Sequence, residues 1–285
     1  MQRLKFLYSR SVLFVNKFLA LRLSQSIYFF FVKYIYPSLI FRRTDFSLNF
    51  KKDTDSDFYK VESNKSEDGY YYNIERSNRY VFGGFEGVGK NLFKKYQLDT
   101  IKIEPNDIVI EIGANIGELT SYLTRFNPKI FAIDIESKAL ECLKLNCKRY
   151  KNLKIDNLAI WNQTGYFDFN SELDEASSSL IFDKKILSQN KDQLKKIKAL
   201  TLSDYMDLNK IDTIKLLKIE AEGAEPEVLN GAKSYLNKIK FITLDCGPER
   251  LGEKTVDEVK KILLKNNFSV EVVKNCCFGV NKSIN

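Results

Sequence analysis

The chain has 285 residues, 44% of them apolar and 29% charged, as in a folded protein with room for one large α/β domain and an appendage. It contains no histidine, which excludes imidazole bases, His-containing triads and zinc–histidine centres; any base must be Asp, Glu, Lys, Tyr, Cys or water. The net charge of +8 is uneven: eight of the 45 basic residues lie within 1–43, where there is no acid, and the other 37 match the 37 acids of the remainder.

Residues 1–43 are apolar and basic together, and Arg3, Arg10 and Lys17 recur every seven residues on one helical face. The run Leu23–Val32 is far short of the ~20 residues that span a bilayer. No small-residue cleavage site follows it, which argues against a signal peptide. The segment either lies on an anionic membrane surface or packs its apolar face on the main domain, and the one-sided charge favours the surface. Residues 44–75 are rich in Asp, Lys and Ser and read as a linker, so the expected organisation is an appendage over 1–75 and a domain over 76–285. Gly84–Lys90 matches the start of a phosphate loop. Asn91 stands at its Ser/Thr position and Glu86 among the phosphates, so the match reads as chance. The five cysteines, Cys142, Cys147, Cys246, Cys276 and Cys277, have no metal spacing and read as buried thiols of a reducing, cytoplasmic compartment.

From residue 100 the pattern is regular. Strands are expected at 108–112, 129–134, 153–160, 166–169, 213–219, 239–245, 268–273 and 277–281. Helices are expected near 116–126, 137–150, 226–236 and 255–266, and the Lys-rich 183–198 reads as a solvated face. This alternation predicts an α/β fold with a doubly wound, mostly parallel sheet. The turn after the first strong strand, Asp107–Gly117, is spaced G-x-x-x-G rather than G-x-G-x-x-G, and Asn115 replaces the glycine that would admit a pyrophosphate. Glu111 repels phosphate and favours an ammonium or sulfonium. Asp134, 21 residues beyond Gly113, is placed to accept ribose hydroxyls. S-adenosylmethionine meets these three requirements. A strand–turn–helix whose glycine is only structural is the plainer alternative for the turn taken alone.

Three features together resemble the FkbM-type methyltransferases, a class I S-adenosylmethionine-dependent family: Asp107–Gly117, Leu217–Ala232, and the order between them of Asn157-Leu-Ala159, Ser177–Leu180 and Leu202-Ser-Asp204. The resemblance covers about residues 78–280. It implies a seven-strand-type, Rossmann-like sheet with a helical, basic N-terminal appendage. By the same resemblance Glu111, Gly113, Ala114, Asn115 and Gly117 form the cofactor loop, Asp134 is the second-strand acid, and Asn157 and Ala159 lie near adenine. Glu111 and Glu220 stand where aspartate is commoner, and Ser203 replaces a usual aspartate. Proteins of this resemblance often methylate sugars of surface polysaccharides or polyketide hydroxyls.

Methyl transfer needs alignment of sulfur, methyl and acceptor, and a group to receive the acceptor proton. Alternation along an extended segment puts Lys218, Glu220 and Glu222 on one face. Glu220 or Glu222 is the expected base or hydroxyl anchor, with Lys218 offsetting their charge. Glu225 is expected to cap the next helix. No metal is expected, although Glu220 and Asp245 at adjacent strand ends offer a minority alternative as cation ligands. The expected function is O-methylation of a sugar hydroxyl in polysaccharide biosynthesis, at the inner face of the membrane, with no nucleic-acid partner because the body is neutral. The alternatives are methylation of a small natural product and a non-catalytic adenosyl-binding protein. Asn115 and Glu111 disfavour an NAD-linked dehydrogenase.

Overall fold

The computed structural model describes residues 19, 23–36, 48–64, 68–170, 194–232, 235–250 and 252–284. The chain divides into two units, Met1–Asn91 and Leu92–Asn285.

In the first unit, helix α1 (Gln25–Phe30) runs on as a π-helical turn over Phe31–Ile35. A three-stranded antiparallel sheet follows, of β1 (Asn49–Lys52), β2 (Tyr59–Glu62) and β3 (Gly69–Tyr71). Phe29 stacks on Phe50 and meets Tyr59 edge-on. Tyr28, Val32, Phe50, Phe58, Val61 and Tyr71 are buried. The stretch read as a linker is therefore folded. Each strand has only three or four residues and offers one or two apolar side chains among outward Lys and Glu, too short a pattern to stand out. Beyond α2 (Ser77–Tyr80), the glycines of 84–90 lie within a helix, α3 (Gly84–Lys95), and make no phosphate loop. Arg3, Arg10 and Lys17 lie outside the described residues.

The second unit is built on seven strands: β4 (Ile108–Ile112), β5 (Lys129–Asp134), β6 (Leu153–Asn157), β10 (Ile214–Ile219), β11 (Ile239–Asp245), β12 (Phe268–Val273) and β13 (Cys276–Asn281). Their order is β12-β13-β11-β10-β4-β5-β6. The pairs from β11 through β6 are parallel, and β13 runs antiparallel to both of its neighbours. Ile110, Ile112, Leu217 and Ile219 join a core with helices α6 (Leu202–Leu208), α7 (Glu225–Gly231) and α8 (Val256–Lys265). Val109, Ile130, Ala132 and Leu216 point to the other face, into a core with α4 (Glu118–Leu123) and α5 (Ser137–Asn146). Helices thus cover both faces, and the β-branched runs are buried on both sides, as the doubly wound reading requires. The chain moves outward from β4 to β6 and then restarts at β10, so the order reverses between β4 and β10. Ligands of open α/β sheets bind beyond the strand ends at such a reversal.

Two local expectations fail. The strand expected over 153–160 breaks at Leu158: β6 stays in the large sheet, and β7 (Ala159–Ile160) joins a smaller one with β9 (Leu194–Leu200) and β8 (Gly165–Asn170). Residues 194–198, read as a solvated face, belong to β9, where buried Ile197 and Ala199 alternate with exposed Lys196 and Lys198. Helix α6 is an addition; the hydroxyl of its N-cap Thr201 accepts the Asp204 N–H at 3.0 Å. Ser177–Leu180 lies outside the described residues.

Candidate active site

Glu111 and Lys218 occupy opposed positions of β4 and β10 and are register partners. Both are nearly fully buried, at 1% and 2% exposure. Lys218 Nζ donates to Gly113 O at 2.6 Å and lies 3.1 Å from Glu220 Oε2 and 3.8 Å from Glu111 Oε1. The other Glu111 oxygen accepts the Thr120 hydroxyl from α4 at 2.6 Å, a reach that uses the longer side chain at this position. Burial raises the Glu111 carboxyl to about 7 even though Lys218 and Thr120 oppose it. Burial lowers Lys218, but Glu220 and Glu111 outweigh that and keep it raised and charged. Lys218 therefore braces the turn, holding the Gly113 carbonyl and the Glu111 and Glu220 carboxylates together.

The turn itself is held in left-handed backbone. Gly113 has φ +72°, and a Cβ there would collide with the Glu220 carbonyl. Asn115 has φ +49°; its N–H donates to Asp134 Oδ2 at 2.7 Å and its side-chain oxygen accepts the Ile116 N–H at 2.8 Å. Ala114 is buried, its N–H bonded to Ile133 O. Gly117 has φ +82°, and a Cβ there would lie 2.8 Å from Leu143 Cγ. Its close approach is to α5.

Asp134 Oδ1 also accepts the Glu136 N–H at 2.9 Å, so this carboxylate ties the turn to the start of α5. Burial raises its pKa against those two N–H donors. Each oxygen keeps a further lone pair for a ligand. Asn157 Nδ2 donates to the Asp134 and Ile135 carbonyls at 3.0 Å each, fixing the end of β5. Ala159 departs from expectation: its side chain is packed with Phe169, Ile197 and Ala199 in the core of the small sheet.

At the end of β10 the strand stops at Ile219, and Glu222 (φ +51°) and Gly223 (φ +92°) turn left-handed. Glu222 thereby leaves the row expected for 218, 220 and 222. Glu225 holds this turn from below. Its carboxylate accepts the N–H groups of Ala221 (3.1 Å) and Gly223 (3.2 Å) and the Thr255 hydroxyl (2.8 Å). Glu220 lies 3.7 Å from Lys95 Nζ, which also hydrogen-bonds Asp245. Burial pushes Glu220 up, but Lys218 and Lys95 more than reverse this and bring it to about 2. Glu222 has the opposite fate. Burial, then Glu220, Glu249, Glu225 and Asp245, raise it to about 8. The two carboxylates are thus split into a permanent anion and a group that exchanges protons near neutrality.

Lys95 also corrects the metal alternative, because its ammonium stands with Glu220 and Asp245 where a cation had been considered. Lys95 and Tyr96 carry no sequence signal, standing at the end of α3 ahead of β4. Tyr96 is fully buried, its ring 5.0 Å from Lys95 Nζ and 5.4 Å from Lys218 Nζ, and its hydroxyl faces Glu220 and helps to hold that carboxylate low. Ser203 has a structural part: its hydroxyl donates to Gly231 O at 3.1 Å, joining α6 to α7.

A family model described as the methyltransferase FkbM domain matches residues 111–270, more than half of the chain. The chain belongs to the FkbM methyltransferase family. The 2-O-methyltransferase NoeI of Sinorhizobium fredii is 22% identical over 200 residues, covering 66% of this chain and 82% of that protein. Ribosomal RNA small subunit methyltransferase A of Leuconostoc mesenteroides is 40% identical over 58 residues, so this chain spans only 20% of that relative. Magnesium protoporphyrin IX methyltransferase (ChlM) of Synechocystis PCC 6803, solved with bound S-adenosylmethionine, is 12% identical. That match covers 72% of this chain and 83% of the other, with a TM-score of 0.41. This FkbM protein is an S-adenosylmethionine-dependent methyltransferase.

Its switch-point residues fit that cofactor. Five carboxyl groups (Glu111, Asp134, Glu220, Glu222 and Asp245) stand with two ammonium groups (Lys95 and Lys218), and burial together with the neighbouring acids raises Glu222, so further negative charge is disfavoured there. A ligand carrying a sulfonium and an ammonium against one carboxylate relieves this excess, whereas a pyrophosphate would add to it.

Proposed function

We propose that this FkbM methyltransferase methylates a hydroxyl of a sugar, in a surface polysaccharide or lipid-linked glycan, and that Glu222 takes the hydroxyl proton. The observation that supports the choice of base is the pair of carboxylates at the end of β10, of which Glu222 is raised by burial and neighbouring acids to about 8. A base of that strength accepts a proton at the moment the oxygen forms its new bond. The 2-O-methyltransferase among its relatives supports an oxygen acceptor, and the basic residues of 1–43 support an acceptor met at an anionic membrane surface.

The cofactor would be held by the Gly113–Gly117 turn with Ala114 and Asn115 and by Asp134, with Glu111 beneath the turn and Asn157 bracing the end of β5. When bound, S-adenosylmethionine supplies an electrophilic methyl group and leaves as a neutral thioether. Glu220, locked by Lys95 and Lys218, keeps a fixed negative charge beside the reacting centre, and Glu225 keeps the Glu222 turn in place. Lys218 is a positioning residue, since it touches the turn and the acids rather than the acceptor.

The test is transfer of isotopically labelled methyl from S-adenosylmethionine to a panel of sugars, nucleotide sugars and lipid-linked glycans, read by NMR of the product. The reading predicts a new O-methyl signal on a sugar ring. Label found only on nitrogen, or only on a non-sugar natural product, would contradict it.

A further inference from the structure

The segment that follows β11 grips the turn that carries Glu222 from two directions. Glu225 accepts the Gly223 N–H at 3.2 Å, and Thr255, the N-cap of α8, donates its hydroxyl to the other oxygen of that carboxylate at 2.8 Å. The carbonyl of the same glycine accepts Arg250 Nη1 at 3.2 Å. The Arg250 fork also pairs with Glu227 of α7, Nη1 to Oε2 at 2.9 Å and Nη2 to Oε1 at 2.7 Å. One guanidinium thus joins the left-handed turn to the helix into which the turn leads. A planar fork with several fixed donors suits that double task, and an ammonium does not reproduce it.

Shape fixes the contact as well. A Cβ on Gly223 would lie 2.8 Å from Arg250 N and 2.9 Å from its Cα, so the backbone at Arg250 rests directly on the turn. The Glu253 N–H donates to the Arg250 carbonyl at 2.9 Å and anchors that backbone. The residue before Gly223 is Glu222, at φ +51°. A side-chain-bearing residue keeps such a backbone only where its surroundings hold it there. With its side chains 33% and 17% exposed, the Arg250–Glu227 pair contributes little stability as an ion pair alone. Its reach to the Gly223 carbonyl has a local consequence instead.

We infer that Arg250 is a positioning residue for Glu222: by tying the Gly223 carbonyl to α7 it keeps the preceding carboxylate turned towards the acids at the end of β10 and partly withdrawn from water. That role rests on Glu222 taking the acceptor proton, as proposed above. The acids facing Glu222 are Glu220 at the end of β10, Glu249 and Asp245 from β11 and the loop after it, and Glu225 of α7. Lys95 stands beyond them, on Glu220 and Asp245. Burial is the largest cause of the raised Glu222 carboxyl, and the acids come second. Loss of the Arg250 cation would by charge alone raise Glu222 further, whereas release of the turn into water would lower it. The two effects have opposite signs, so a titration tells them apart.

The experiment follows the Glu222 carboxyl carbon by NMR through a pH titration of the full chain labelled at glutamate, the signal being assigned by its absence in Glu222→Gln. In wild type the midpoint is expected at about 8. In Arg250→Ala it should fall to about 7 or lower, and the Gly223 amide should exchange with solvent about tenfold faster or more. Arg250→Lys keeps a cation for Glu227 and should recover most of the denaturant midpoint that Arg250→Ala loses. Its Glu222 titration should nonetheless stay low, because the fork is gone. Should Arg250→Ala not fold, the lysine variant alone reads the same midpoint. A midpoint unchanged or raised in Arg250→Ala overturns the inference and leaves Arg250 a distant charge. Full recovery of the midpoint in Arg250→Lys also overturns it and makes Arg250 only an ion-pair partner of Glu227. If wild-type Glu222 itself titrates near 4.5, its assignment as the base falls, and the Gly223 amide decides alone. Faster exchange in Arg250→Ala then supports the grip on the turn, and equal exchange overturns it.

Discussion

Replacing Glu222 by glutamine is expected to lower kcat/KM by ~10²–10⁴-fold, the usual range for removal of a positioned general base. In wild type, kcat/KM should climb as pH rises through about 8, where Glu222 ionises, and then level off; the residual rate of the variant should lack that step. Stability should move the other way. The Glu222 carboxyl is raised from 4.5 to about 8, so between those values the unfolded chain has lost this proton while the folded protein retains it. Stability therefore falls as pH rises through that window, and it stays lowered above it. Glutamine removes the ionisation. The variant should be more stable than wild type by roughly 2–5 kcal/mol at about pH 9, in denaturant titrations, the upper figure being the full shift and the lower one allowing for solvent screening, while being nearly inactive. Activity within about threefold of wild type would remove Glu222 from the mechanism.

Lys218→Met should be the most damaging single change to the fold, costing about 3–5 kcal/mol. It leaves Glu111, at 1% exposure, and Glu220 without their shared cation, and it removes the donor to the Gly113 carbonyl. The loss should be greatest at alkaline pH. Glu111 already holds its proton to about 7 with Lys218 beside it and should hold it higher without. Adding Glu111→Gln should recover much of the stability, because a buried pair removed whole is far cheaper than a buried charge left alone. Urea titrations at two pH values read all three effects. A loss below about 1 kcal/mol, or no rescue by Glu111→Gln, would mean that the pair is solvated and does not brace the turn.

The large sheet is legible in the sequence because its strands are buried on both faces. Runs such as Ile108–Ile112 and Lys129–Asp134 stand out without knowledge of their partners. Half-buried short strands do not stand out in this way. In β1–β3 each turn of pleat offers a single apolar residue, and in β9 the lysines mask Ile197 and Ala199. The site divides along the same line. Glu111, Gly113, Asn115, Gly117 and Asp134 are local to one strand–turn–helix unit and its neighbour, so spacing exposes them. Lys95 and Tyr96 reach the site from a preceding helix, and nothing at their own positions marks them. The row of 218, 220 and 222 fails because strand alternation was carried past Ile219 into left-handed backbone at Glu222 and Gly223. The Ala159 side chain faces the core of the small sheet because the chain changes sheets at Leu158.

The most direct measurement is calorimetric titration with S-adenosylhomocysteine, with NAD as control, on wild type, Asp134→Ala and Asp134→Asn. A ligand held at the switch point between β4 and β10 requires selective binding by wild type. It also requires binding weakened about tenfold or more in both variants, since Asp134 is assigned to the ribose and orders the Asn115 turn. Equal affinity in all three proteins, or a preference for NAD, would contradict the placement of the cofactor at Gly113–Gly117.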